Sequence, residues 1–226
     1  MIYELRQYTL RPGLRDTLIE LFERELVEPQ EAAGMRIVGH FRNADDPDQY
    51  PWIRAFADME ARKAALTAFY SGPVWKANRD AANATMLDSD DVLLLRPVSA
   101  PAAPAWSWPR PLTADAPRPP VGATALPTSL YVATICHVED GFAAHFASHV
   151  APALVEAGAP PIACFETEPA ANTFPALPVR EGENVFVWLT RFARAEDEVP
   201  PPALDTFLTA PPRRLRLSPA ARSTLR

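Results

Sequence analysis

Residues 2–10, "IYELRQYTL", alternate between apolar and polar and break at Arg11-Pro12-Gly13, which reads as a strand followed by a turn. Leu14, Leu18, Leu21, Phe22 and Leu26 then recur at helical spacing opposite Arg15, Glu20, Glu23 and Arg24. Gly34 stands where that helix must end. Residues 35–42 alternate again, "ADDPD" supplies a turn, and residues 50–57 make a third strand. Helical sequence runs through 59–84 with a break at Gly72-Pro73, and "VLLLR" at 92–96 closes the unit as a fourth strand. The predicted order is β-α-β-β-α-β, the split βαβ or ferredoxin-like arrangement, with helices on one sheet face and the other face bare. A bare face needs a partner.

The chain supplies one. "IYELRQYTLRPG" at 2–13 aligns with "LYVATICHVEDG" at 130–141, pairing Tyr3 with Tyr131 and Gly13 with Gly141. "GMRIVGHF" (34–41) aligns with "GAPPIACF" (158–165), and "WIRAFADME" (52–60) with "WLTRFARAE" (188–196). "LTAFYSGP" (66–73) aligns with "LDTFLTAP" (204–211), and "LLLRP" (93–97) with "LRLSP" (215–219). Five correspondences in one order make a duplicated unit. The copies are unequal, because nothing in the second corresponds to Trp75–Val92. Between them, Pro97 to Pro127 holds nine prolines in 31 residues and no period, so it reads as a semi-extended strap. Trp106 and Trp108 are expected to anchor it on the surface, or to cover a pocket mouth. The expected division is 1–97, first repeat; 98–128, linker; 129–226, second and degenerate repeat.

The stretches "YELRQYTLRPG", "GMRIVGHF", "WIRAFADMEAR", "FYSGPVWKA" and "ANATMLDSDDVLLLRP" resemble the NIPSNAP family of the dimeric α+β-barrel superfamily. The resemblance covers 2–97 well and 129–219 mainly through the repeat. It implies an α+β fold: two ferredoxin-like repeats packed sheet to sheet, a dimeric barrel fused into one chain. That superfamily includes cofactor-free monooxygenases, haem-degrading oxygenases and isomerases, so the resemblance implies a small-molecule cavity without choosing a reaction.

Composition narrows the classes. The net charge of −6, with Lys and Arg dispersed, argues against nucleic acid as partner. Cys136 and Cys164 are the only cysteines, which suits a reducing cytoplasm. No apolar run reaches the length of a membrane span, the N-terminus does not read as a signal peptide, and GxGxxG, GxxxxGK[ST] and GxSxG are all missing.

Strand parity gives the candidate site. Odd positions Met35, Ile37, Gly39, Phe41, Ile53, Ala55 and Ala57 form an apolar face expected under the helices. Even positions Glu4, Arg6, Tyr8, Arg36, Val38, His40, Trp52, Arg54 and Phe56 form a charged and aromatic face expected to meet the second repeat across a cavity. There the matched positions are small or neutral: Val132, Thr134, Cys136, Cys164 and Thr190. On one reading Glu4, Arg6, Arg36 and Arg54 are an ion-pair network joining the halves. On the other, the arginines hold an anionic or enolate oxygen while His40, Tyr8 or Glu4 moves a proton. Trp52, Tyr70, Asn78 and Asn83 complete the expected binding set, with the helix around "AFYSGPVWKANRDAANATM" either packing or covering the ligand. His145 and His149, at i, i+4, offer a haem or metal alternative, but no local carboxylate or cysteine completes a ligand set. The preferred expectation is a small-molecule-binding protein, an enzyme without metal or cofactor, acting as isomerase, cyclase or monooxygenase on an apolar or aromatic substrate. The competing classes are a non-catalytic binding or assembly module and a haem-handling protein; further self-association is open.

Overall fold

The computed structural model of the chain describes residues 1–98, 112, 117–204 and 206–226. Trp106 and Trp108 lie outside the described residues. The first repeat runs β1 (Ile2–Leu10), α1 (Arg15–Leu21), a π turn (Phe22–Leu26), α2 (Val27–Ala32), β2 (Arg36–Asn43), β3 (Gln49–Phe56), α3 (Met59–Ser71), α4 (Pro73–Thr85), β4 (Met86–Asp88) and β5 (Val92–Pro97). The second runs β6 (Leu130–His137), α5 (Phe142–His145), a π turn (Phe146–Val150), α6 (Ala151–Glu156), β7 (Pro161–Thr167), β8 (Val185–Phe192) and β9 (Arg213–Pro219).

Local chemistry sets the boundaries. Asp58 caps α3 by accepting a hydrogen bond from the Ala61 amide at 2.8 Å. Gly34, at φ 99°, ends α2 in the left-handed conformation. Pro73 opens α4 at a position where its missing N–H costs nothing. Among the described residues of the second repeat no helix stands between β8 and β9 except the short turn Ala195–Asp197, in line with the missing segment read from the sequence.

Within each repeat the strands take the ferredoxin-like order, β5-β1-β3-β2 and β9-β6-β8-β7, all antiparallel. The edges of one sheet pair with the edges of the other, β2 with β9 and β5 with β7. Of the nine strands, β4 only extends an edge of β1, and the other eight close a ring. Closure removes every exposed edge that two separate sheets would carry. Other features repeat as well. Each β-α-β unit has a π turn at matched phenylalanines, Phe22 and Phe146, and a bulge in its second strand, between Ile37 and Gly39 and between Pro161 and Ala163.

The ring interior is filled. Tyr3, Leu5, Ile53, Ala55, Leu93 and Leu95 meet Tyr131, Ala133, Ile135, Val187, Leu189 and Leu217 in one apolar cluster, joined by Leu112 of the strap and Leu225 of the tail. An eight-stranded barrel has room for side chains and little else. This overturns two expectations. Of the odd positions expected under the helices, Phe41, Ile53 and Ala55 face the second repeat while Met35 and Ile37 do lie under the helices, and the charged even positions Glu4, Arg6 and Arg54 face their own helices. The space between the sheets is a packed core rather than a cavity.

Candidate functional site: a charged chamber beneath the first-repeat helices

Three strands lay out the site as a grid. Glu4, Arg6 and Tyr8 on β1 stand opposite Arg54, Trp52 and Tyr50 on β3, and His40 on β2 stands opposite Trp52. The β2 bulge shifts parity, sending Val38 and Phe41 into the barrel and leaving Ile37 and His40 beneath the helices. It also separates Arg36 from the group. Arg36 Nη2 donates to the Leu112 carbonyl at 3.1 Å and to Tyr3 Oη at 3.4 Å, so the structure places it beside the strap.

Glu4 is fully buried and holds three guanidiniums. Arg6 Nη1 and Arg54 Nε each donate to its Oε2 at 2.7 Å, and Arg62 Nε donates to Oε1 at 2.7 Å. Arg62 comes from α3 and was not among the residues picked from strand parity. A signal for it existed, because Arg62 continues the buried stripe Ala65, Leu66 and Phe69 of that helix. Burial alone would raise the Glu4 pKa, but Arg54, Arg6 and Arg62 more than reverse this and hold the carboxyl far below its usual range. Glu4 is therefore a fixed anion and not a proton carrier near neutrality. Arg6 Nε donates to Tyr8 Oη at 3.0 Å, and its Nη2 to the Ser89 carbonyl at 3.4 Å. The guanidinium of Arg54 lies 5.1 Å from the Trp52 ring centroid, and that of Arg6 lies 5.3 Å from Tyr8.

Next to this cluster lies a cavity of about 30 Å³. Its wall includes Tyr8, Tyr50 and Trp52 from the sheet, Phe22 from the π turn, Gln30 from α2, and Phe69, Tyr70, Trp75 and Ala82 from α3 and α4. That volume suits about two water molecules; a larger guest must displace part of the wall. The helix stretch first read as packing or cover packs on itself and contributes to the cavity wall. Tyr70 and Trp75 pack edge to face at 5.0 Å while lining the chamber. Asn78 donates to its own helix at Val74 O (2.9 Å), and Asn83 is exposed, so neither is brought to the wall.

His40 is separated from the arginines by Trp52. It is fully buried among Phe22 and Tyr50, its amide donates to Ser223 Oγ at 3.3 Å, and neither ring nitrogen has a hydrogen-bond partner. Burial, then the nearby positive charge of Arg118, lowers its pKa to about 3, so it is neutral. Glu23 Oε1 stands 3.7 Å from its Nε2. Of the three expected proton carriers, only Tyr8 borders the chamber. Burial raises the Tyr8 pKa, with Arg6 opposing, and keeps its hydroxyl protonated.

The same outer face of the second repeat is packed solid by Val132, Cys136, Phe146, Cys164, Phe186 and Trp188. The cysteines are free, on strands separated by β8, and burial pushes the Cys136 thiol up to about 12. His145 and His149 stack at 4.8 Å between centroids, with His149 exposed. Among the described residues there is no group of three His, Cys, Asp or Glu placed to hold a metal, and no helix long and apolar enough to cross a membrane.

Residues 3–101 match the NIPSNAP family model. Two solved structures described as putative monooxygenases share the whole architecture. One, from Lactobacillus acidophilus, is 14% identical with TM-score 0.55, covering 98% of this chain and 97% of its own. The other, from Fusobacterium nucleatum, is 7% identical with TM-score 0.54, covering 100% and 97%. A NIPSNAP-like domain protein from Burkholderia xenovorans is 26% identical with TM-score 0.40, covering 47% of this chain and 94% of its own. No curated protein matches the chain.

Proposed function

We propose that this chain, built on a NIPSNAP domain at residues 3–101, binds a small apolar or aromatic molecule beneath its first-repeat helices and performs proton-transfer chemistry on it. One observation carries the reading: an aromatic-walled chamber abuts a buried cluster of three arginines, while the matched face of the second repeat is filled with apolar side chains. A fold that needed only packing would use the second solution twice, because uncompensated buried charge costs several kcal/mol.

Tyr8 is the proton donor in this reading. Its hydroxyl accepts from Arg6 Nε at 3.0 Å, which leaves its own proton free to move toward a guest oxygen. Developing negative charge on that oxygen is favoured by the guanidiniums behind it. Isomerisation through an enolate uses such a donor and such a field at the oxygen, with the proton lost from carbon passing to a water in the chamber. The resemblance to proteins described as monooxygenases supports the fold and leaves the reaction open.

A second reading has its own observation. Arg62 Nη1 donates across the repeats to Asn172 Oδ1 at 3.0 Å, so part of the cluster does join the halves. The test separates the two. Calorimetric titration with a neutral aromatic probe, benzamide, should give saturable binding to the wild type and none to Ala82→Leu, which fills the chamber while its circular dichroism stays unchanged. Metabolite extracts should then contain compounds consumed by the wild type and not by Tyr8→Phe. No saturable binding, or binding indifferent to Ala82→Leu, would leave only the joining role.

A further inference from the structure

We infer that the arginine cluster is completed by an anion of one negative charge, a carboxylate or similar oxyanion carried by the guest. The inference rests on the chamber proposed above and adds the charge of what enters it.

The charge count is explicit. Arg6, Arg54 and Arg62 contribute three positive charges and Glu4 one negative, so two positive charges remain, of which a bound monoanion offsets one. Among the described residues no other carboxylate lies within 4.0 Å of these guanidiniums. All three arginines are buried. Arg54 Nη2 and Arg62 Nη2 are cut off from solvent and have no hydrogen-bond partner. Buried donors without acceptors are rare in folded proteins, and two on neighbouring guanidiniums call for an acceptor. Guanidinium N–H pairs match the planar geometry of a carboxylate better than any other common side chain.

The cluster is within reach of the chamber. Trp52 and Tyr8, against which Arg54 and Arg6 lie, are both chamber walls. So is Gln30, whose Oε1 accepts from Arg54 Nη1 at 3.4 Å, a long and weak bond. An acid group on an aromatic body can displace the Gln30 carboxamide and meet Arg54. The second repeat braces the far side. Asn172 Oδ1 holds Arg62 Nη1, and Phe174 stacks on Tyr70 at 6.0 Å, leaving Arg62 Nη2 unoccupied. Arg62 is thus positioned by groups of both repeats.

The same chemistry could be met by a free inorganic anion, so the experiment needs two arms. In the first, the full chain is titrated with benzoate and with benzamide in low-chloride buffer. Benzoate should bind at least about tenfold tighter, the effect of one charge-assisted hydrogen-bond pair. Arg62→Gln should abolish the preference for benzoate over benzamide. Arg62→Lys keeps the charge but not the forked donors, and guards against a variant that fails to fold. In the second arm, chloride and thiocyanate are added alone. Thermal stabilisation of the wild type but not of Arg62→Gln, with competition against benzoate, assigns the place to a free anion. Equal binding of benzoate and benzamide overturns the inference while the chamber stands. If neither aromatic binds, the chamber reading fails, and the halide arm alone decides: no salt-specific stabilisation overturns the inference too.

Discussion

Glu4 shows how tightly one side chain can be committed. Its two oxygens serve three guanidiniums in a fully buried position, so neutralising it leaves three like charges facing one another. Glu4→Gln should destabilise the protein by about 3–5 kcal/mol in urea denaturation, the cost of breaking a buried pair from one side. A loss below about 1 kcal/mol would mean that water or an anion already reaches the arginines. His40 makes a prediction in pH. It is neutral in the fold, with its pKa lowered to about 3, and ordinary in the unfolded chain. Between those values the unfolded state binds more protons, so this stability is complete above about pH 6.5 and is lost as pH falls toward 3. Glu23, whose pKa is raised by burial, acts in the opposite direction over its own range. Denaturant midpoints for His40→Leu should therefore fall less between pH 6.5 and 4.5 than those of the wild type; parallel curves would contradict the assignment.

Among the elements, β2 best explains what was readable in the sequence and what was not. Alternation revealed the strand and the repeat revealed its partner, but one extra residue at the bulge changes which side chains share a face. His40 and Arg36 belong to different faces for that reason. Which sheet face met the helices was also hidden, because both faces carry enough apolar residues to be buried. Charge was taken to mark an interface between halves, whereas the closed barrel has no space for it. Gly39 is the residue that makes the bulge workable. A Cβ there would stand 2.6 Å from Phe41 Cζ and 3.2 Å from Leu225 Cδ1. Gly39→Ala should cost about 1–3 kcal/mol through forced repacking, measured by chemical denaturation; a neutral substitution would show that the tail at Leu225 can shift. Arg62 was missed because the stretch 59–84 was read only as helical, without a buried face, and a long polar side chain on the buried stripe looks like its solvent-facing neighbours.

At the scale of the molecule, the two repeats exist for each other. The sheet of the first repeat would alone expose Tyr3, Leu5, Ile53, Ala55, Leu93 and Leu95, together with the open edges of β2 and β5. A fragment of residues 1–98 should therefore self-associate, pairing two copies in place of the lost second half. Light scattering after gel filtration checks this, and a folded monomer would contradict it. Duplication was legible because matched strands and turns recur in order. The division of labour was legible only in part: charges on one half and neutral residues on the other were visible, but their direction was not. The most direct measurement is methyl NMR during a benzoate titration of the intact chain. The account predicts shifts at the Ala82 and Met86 methyls, which line the chamber, and none at Ala133 and Ala163, which lie in the barrel interior. Shifts confined to the barrel interior, or no saturable shifts at all, would contradict it.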